Sequence, residues 1–237
     1  MSFKKVVFLL SILALVSCNK EKLEVAFSEE QVNEEYPKVL EAVNNKRIGY
    51  QPEFYPNKKK RLVKAQAYIE HALSEKVLPM WIGTKWDYNG TTTTPRKGKI
   101  ACGYFVTTTL NQMGFKFNRS LLAQQASLYI LRSFCKEENI KRIGHNNKEA
   151  LFKYLDQENA KIYLCGLDNH VGYIIKYDGM WYAFHASGLS PYQVVKEPLK
   201  ECPAYLQSQN FFVAPLFKDG YMLSSWILDV PVEIYTS

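Results

Sequence analysis

Two of the four histidines fall on a hairpin that the sequence spells out. Asp178-Gly179 lies between two runs rich in aromatic and β-branched residues, His170–Tyr177 and Trp181–Ala186. That dipeptide between such runs marks a two-residue hairpin turn. The turn pairs Tyr177 with Met180, and the register then sets Gly172 opposite His185 and His170 opposite Ser187. His170, Gly172 and His185 therefore share one sheet face, the histidines as diagonal neighbours with backbones roughly 7–8 Å apart. A three-residue loop would shift the register and separate them. Two imidazoles within reach can pass a proton and fix each other's tautomer. The competing reading is a hydrogen-bonded pair with no chemistry.

A histidine base needs something to activate, and cysteine is the best nucleophile near neutral pH. Cys102 follows the basic loop Arg96-Lys97-Gly98-Lys99 and opens a helix expected over Cys102–Met113. A thiol there faces the positive end of the helix dipole, with cations nearby, and both lower its pKa. His170 is then the base and later the acid, and His185 orients it. The helix-start amides are candidate oxyanion donors. Taken alone, Cys102 reads as a small buried residue; the histidine pair gives it weight.

The elements that must position these groups follow from pattern. Ser28 with Gln31 reads as a capping box for a helix over 29–44, and residues 49–57 as a loop. Leu62, Ala65, Ile69, Leu73 and Val77 recur at helical spacing and predict a helix over Lys58–Val77. Residues 81–99 read as a loop, 120–135 and 147–157 as helices. The threonine run 107–109 is a weak helix former, so packing must hold that helix. Lys161–Cys165, Phe211–Phe217 and Ile227–Tyr235 read as strands beside the hairpin pair. Helices first and an antiparallel sheet after is an α+β order.

Ala101-Cys102-Gly103, His170-Val171-Gly172-Tyr173 and Phe184-His185-Ala186-Ser187, in that order, resemble the NlpC-type cell-wall cysteine peptidases. The resemblance covers about residues 80–190. It implies an α+β fold with a papain-like core, N-terminal helices packed on a mostly antiparallel sheet. It also implies a Cys102-His170-His185 triad acting on amide bonds of peptidoglycan stem peptides, without a cofactor. Trp86-Asp87-Tyr88-Asn89-Gly90 looks like the family's approach to the cysteine, which implies that Tyr88 lines the site and can donate to the oxyanion. The family's usual Asp-Cys-Ser-Gly is here Ala101-Cys102-Gly103-Tyr104, so substrate contacts beside the nucleophile must differ. The 68-residue separation of Cys102 and His170 is long, and residues 118–158 are expected to add helices over the site.

The N-terminus sets the compartment. Lys4 and Lys5 precede the apolar stretch Val6–Val16, and Leu15-Val16-Ser17-Cys18 follows, then polar residues. This is a secretory signal rather than a membrane span, and it resembles the lipobox of bacterial lipoproteins, which implies acylation of Cys18. The expected organisation is a signal peptide over 1–17, a tether over 18–27 and one hydrolase domain with a helical extension over 28–237. The expected location is the bacterial envelope, lipid-anchored, with the outer membrane favoured. The other cysteines, 135, 165 and 202, read equally as all reduced or as one disulfide plus a free thiol. A net charge of +7 in 237 residues suits an anionic surface without arguing for nucleic acid, and 14% aromatic content excludes a disordered chain. Three rival readings stand. One is a metal site built from Asp168, His170, His185 and His145. Another is an acyltransferase on the same core. The third is a catalytically silent module whose 16 Tyr and 4 Trp line a glycan or peptide groove.

Overall fold

The computed structural model describes residues 27–52 and 54–236; the signal segment, Cys18 and most of the tether lie outside the described residues. Helix α1, Glu29–Tyr50, starts on the expected capping box, the Ser28 hydroxyl accepting from the Gln31 amide. It runs further than expected and takes up the start of the 49–57 segment. Helix α2, Lys58–His71, continues through a π-helical turn, Ala72–Val77, into α3, Leu78–Trp81. Pro79 explains the wider turn: it has no N–H to give the preceding turn, and its ring crowds the carbonyl four residues back. The continuation seats Trp81 in the core, where its indole N–H donates to the Tyr36 hydroxyl at 2.8 Å. Tyr36 donates in turn to Gln112 Oε1 at 2.7 Å, tying α1 to the end of the cysteine helix.

Two short parallel strands, β1 (Lys85–Trp86) and β2 (Lys99–Ile100), lead to helix α4, Cys102–Gln112. Its threonines are satisfied within the helix and by a neighbour. Thr107 and Thr109 hydroxyls donate back to the carbonyls of Gly103 and Phe105, both at 2.9 Å, and Arg119 donates to Thr108 Oγ1 at 2.7 Å. Packing thus holds a helix that propensity alone would not. The predicted 120–135 helix is two, α5 (Arg119–Ala123) and α6 (Ser127–Phe134). Strand β3 (Lys141–Ile143) and helix α7 (Lys148–Glu158) precede β4 (Ile162–Gly166), β5 (Val171–Tyr177) and β6 (Met180–Ala186). Strand β7 (Val194–Pro198), helix α8 (Pro203–Gln207), strand β8 (Phe211–Pro215) and helix α9 (Tyr221–Leu228) complete the order.

The fold is α+β, with the N-terminal helices against a six-stranded antiparallel sheet of order β3-β8-β4-β5-β6-β7. The hairpin register is the expected one, Tyr177 opposite Met180 and Tyr173 opposite Phe184, with Asp178 and Gly179 both at positive φ as a type I′ turn requires. Both sheet faces are covered. Phe105 and Leu110 of α4 join Tyr173, Ile175 and Phe184 in one core. Leu151 and Leu155 of α7 and Tyr205 of α8 join Tyr163, Cys165, Ile174 and Trp181 in a second.

The predicted strand Ile227–Tyr235 is not formed. Met222, Leu223, Trp226 and Ile227 are buried at helical spacing in α9, and its indole N–H at Trp226 donates to the Met113 carbonyl at 2.7 Å. Asp229, in the left-handed conformation, stops the helix and pairs with Arg47 at 2.7 Å and Lys116 at 2.6 Å. Beyond it, residues 230–236 make one bridge, Pro231 to Lys116.

Candidate active site

The nucleophile candidate is held by a close helix contact. Cys102 is the first residue of α4, after an extended Ala101 that offers no side-chain cap. The first-turn amides are therefore free for other acceptors. A Cβ on Gly103 would stand 2.2 Å from the Ala123 carbonyl oxygen at the end of α5. The residue after the cysteine must be glycine for α5 to pack there. Arg119 lies over the Tyr104 ring at 4.8 Å, and Gln124 donates to the Tyr104 hydroxyl at 3.2 Å. Ala123, Gln124 and Gln125 line the cleft beside Cys102. Helix α7 instead covers the far face of the sheet.

Cys102 is partly buried, and burial pushes its thiol above the ordinary value; main-chain N–H groups of Val171, Gly103 and Cys102 itself pull the other way. This corrects the expected lowering. Lys99 of the basic loop is paired with Asp87 at 2.8 Å, and no cation is among the causes that act on the thiol. Cys102 and His170 line the same cleft, of about 910 Å³.

The histidine pair is closed. His170 Nε2 lies 2.8 Å from His185 Nδ1, with the rings nearly perpendicular. Gly172 makes this possible: a Cβ there would stand 2.7 Å from the His185 Cβ. Burial, and then the neighbouring His185, hold the His170 imidazole well below its usual pKa, so it is neutral near pH 7. A neutral imidazole beside a neutral thiol is an acceptor for the thiol proton.

Two partners were not read from sequence. His185 is fully buried, and its Nε2 meets Glu197 Oε1 at 2.9 Å and Cys202 Sγ at 3.4 Å. Glu197 comes from β7, which the strand reading left out. Val194-Val195 carried the β-branched signal, and Ala183 pairs with Glu197, so Glu197 falls diagonal to His185 on the same face. Cys202 begins the short α8.

Tyr88 stands on the cleft rim, 81% exposed, with Trp86 near Gly188. Asp168 is taken up by the Ser208 hydroxyl, the Gln209 amide and Asn210, and so pins the loop before His170. Asp168, His170, His185 and His145 therefore do not form the metal set that spacing allowed. Among the described residues the one set of three grouped metal-type donors is His185, Glu197 and Cys202, within 4.8 Å of one another. Cys135, Cys165 and Cys202 are buried free thiols. No family model, curated protein or solved structure matches this chain.

Proposed function

We propose that this chain is a cysteine-dependent amide hydrolase with a papain-like, NlpC-type core. The observation that carries the reading is the imidazole pair at 2.8 Å, whose outer member shares a cleft with a helix-start thiol. Cys102 Sγ attacks the amide carbonyl carbon while its proton passes to His170. Charge on the carbonyl oxygen is met by helix-start amides, with Tyr88 as a second donor from the rim. Collapse breaks the C–N bond, and the amine leaves with the proton from His170. The resulting thioester is attacked by water, which gives its proton to His170. Breaking the C–S bond then releases the acid, and the thiolate recovers its proton.

The lining supports a neutral, amide-bearing substrate. Among the described residues, Asn89, Gln124, Gln125, Asn169 and Gln207 line the cleft, no lysine or arginine does, and its one carboxylate, Asp168, is spent on Ser208, Gln209 and Asn210. Such a groove fits a peptide backbone better than a phosphate, and we assign it to a stem peptide of peptidoglycan. Acylation of Cys18 would place the enzyme on an envelope membrane, favourably the outer one, next to that polymer. Fatty-acid labelling lost in Cys18→Ala tests the anchor.

Residues 19–237 incubated with purified peptidoglycan fragments, with mass spectrometry of the products, test the activity. A cleaved stem peptide that disappears in Cys102→Ala supports the assignment. The raised thiol favours a second reading, a silent binding module. Absence of cleavage, with Cys102 reacting no faster than a model thiol, establishes that reading instead.

A further inference from the structure

We propose that Glu197 is a positioning residue that sets the tautomers of both histidines and so leaves one bare nitrogen of His170 facing the thiol. The proposal rests on the hydrolase reading only in naming Cys102 as the group served.

The argument begins at the buried end. Glu197 is partly buried, and its carboxyl is held below the usual carboxylate range, chiefly by the hydrogen bond from His185. An ionised carboxylate can only accept. At 2.9 Å from Glu197 Oε1, His185 Nε2 must therefore carry its hydrogen. With Nε2 carrying the ring's hydrogen, His185 Nδ1 is the acceptor of the 2.8 Å contact, so the hydrogen there sits on His170 Nε2. His170 is neutral, so its Nδ1 is bare. That is the nitrogen not spent on the pair, and it is the one available to take a proton in the cleft.

Cys202 reinforces the order from the other side. Its thiol is pushed up, first by burial and also by Glu197, so it stays protonated, with its sulfur 3.4 Å from His185 Nε2. The groups facing His185 are thus His170, Glu197, Cys202 and the Tyr205 phenol, whose ring centre is 6.3 Å away. Burial keeps Tyr205 protonated. Glu197 is the one anion of the set, and it supplies the direction. Without it, His185 could carry its hydrogen on Nδ1 and donate to His170 Nε2. The His170 hydrogen would then move to Nδ1, and the base would present a donor to a thiol.

When Cys102 gives its proton to His170 Nδ1, the imidazolium keeps its Nε2 hydrogen on His185, and the charge faces Glu197 through one ring. No proton needs to reach the carboxylate. An opposite charge at contact shifts a pKa by about 1–3 units. Acting through an intervening ring it is taken here at the low end, about tenfold in the thiolate–imidazolium population.

The test uses the soluble chain 19–237 and needs no substrate. Nitrogen-15 spectra of the ring nitrogens report each tautomer directly, and iodoacetamide alkylation of Cys102 across pH reports the thiolate. In the unaltered protein both histidines should show the Nε2–H form. Glu197→Gln, of the same shape, should give mixed tautomers and about tenfold slower alkylation at pH 7, while Glu201→Gln on the exposed turn changes neither. A His185 ring with its hydrogen on Nδ1 in the unaltered protein overturns the proposal even if the variant fails to fold. So does alkylation in folded Glu197→Gln within twofold of the unaltered rate. Both readouts are independent of peptidoglycan, so failure to cleave cell-wall fragments leaves them intact and counts only against the substrate assignment.

Discussion

Replacing Gly172 by alanine tests whether the space between strands β5 and β6 is what lets the histidines meet. The added Cβ would stand 2.7 Å from the His185 Cβ, 2.9 Å from the Phe184 carbonyl oxygen and 3.5 Å from the His185 Cα. Carbon atoms rest at about 3.5–4.0 Å, so the first contact is short by roughly 1 Å. Relief is blocked on both sides, because Gly172 is paired with Cys165 of β4 and the obstructing atoms belong to β6. Overpacking of this kind costs about 1–3 kcal/mol. Stiffening of the unfolded chain returns about 0.4–1 kcal/mol. The net loss is about 0–2.6 kcal/mol, or up to about 10 °C in Tm for a chain of this size. The strand can relax only by moving His185 away, so alkylation of Cys102 should slow as well. Calorimetry and iodoacetamide kinetics on Gly172→Ala and Gly49→Ala decide the matter. Gly49 lies in α1, and a Cβ there meets nothing within 4 Å, so its alanine variant should gain stability. Equal Tm changes in the two variants, with unaltered Cys102 reactivity, would refute the reasoning.

Three further outcomes are expected. His170 is held well below its usual pKa, so the unfolded chain takes up a proton before the folded one does as pH falls below about 6.5. Its contribution to stability is complete above that value and is lost as pH falls from there toward the folded pKa. Tm of the unaltered protein should drop more steeply between pH 7 and 5 than that of His170→Gln, and parallel slopes would count against it. Asp229→Asn keeps a residue that accepts the left-handed backbone but leaves Arg47, whose side chain is 11% exposed, without its anion. Urea unfolding should show a loss of about 1.5–3 kcal/mol; a loss below 0.5 kcal/mol, within what a neutral surface change gives, would place the anchor of α1 elsewhere. In the peptidoglycan assay, Tyr88→Phe should lower kcat by about 10²–10³ if its hydroxyl meets the oxyanion, and His185→Ala should cost less than His170→Ala; a Tyr88→Phe rate equal to the unaltered one would remove Tyr88 from the mechanism.

The hairpin was legible because its turn is local. Two residues set the register, and the register alone brings His170, Gly172 and His185 onto one face. The helix from Cys102 was legible from Gly114, which follows Met113 and stops it, although its threonines needed tertiary partners that no local pattern shows. Glu197 was hidden for the opposite reason. Its role depends on the pairing of β6 with β7 across residues 187–193, a connection whose length fixes no register. The thiol's direction was misjudged because dipole and cations can be read along the chain, whereas burial depends on α5 closing over α4. The Ile227–Tyr235 error has a similar origin. Aromatic and β-branched content suggested a strand, but Trp226 is buried against Met113, on a helix distant in sequence.

The thiol and the imidazoles belong to different layers, and that sets a mechanical tolerance. His185 and Glu197 ride on neighbouring strands joined by backbone hydrogen bonds, and His170 directly precedes β5 and meets His185 at 2.8 Å, so the three move together. Cys102 rides on α4, which is located against those strands by contacts further along. Thr109 meets the Tyr173 hydroxyl at 2.8 Å, and Phe105 packs edge-on to Tyr173 at 6.0 Å. These contacts act as a spacer whose thickness gauges the gap between nucleophile and base. A misplacement of about 1 Å can cost on the order of 10²-fold in rate. Trimming Phe105 to leucine would let the helix settle without touching a single hydrogen bond among the strands, and turnover would fall while the tautomers stayed as they were.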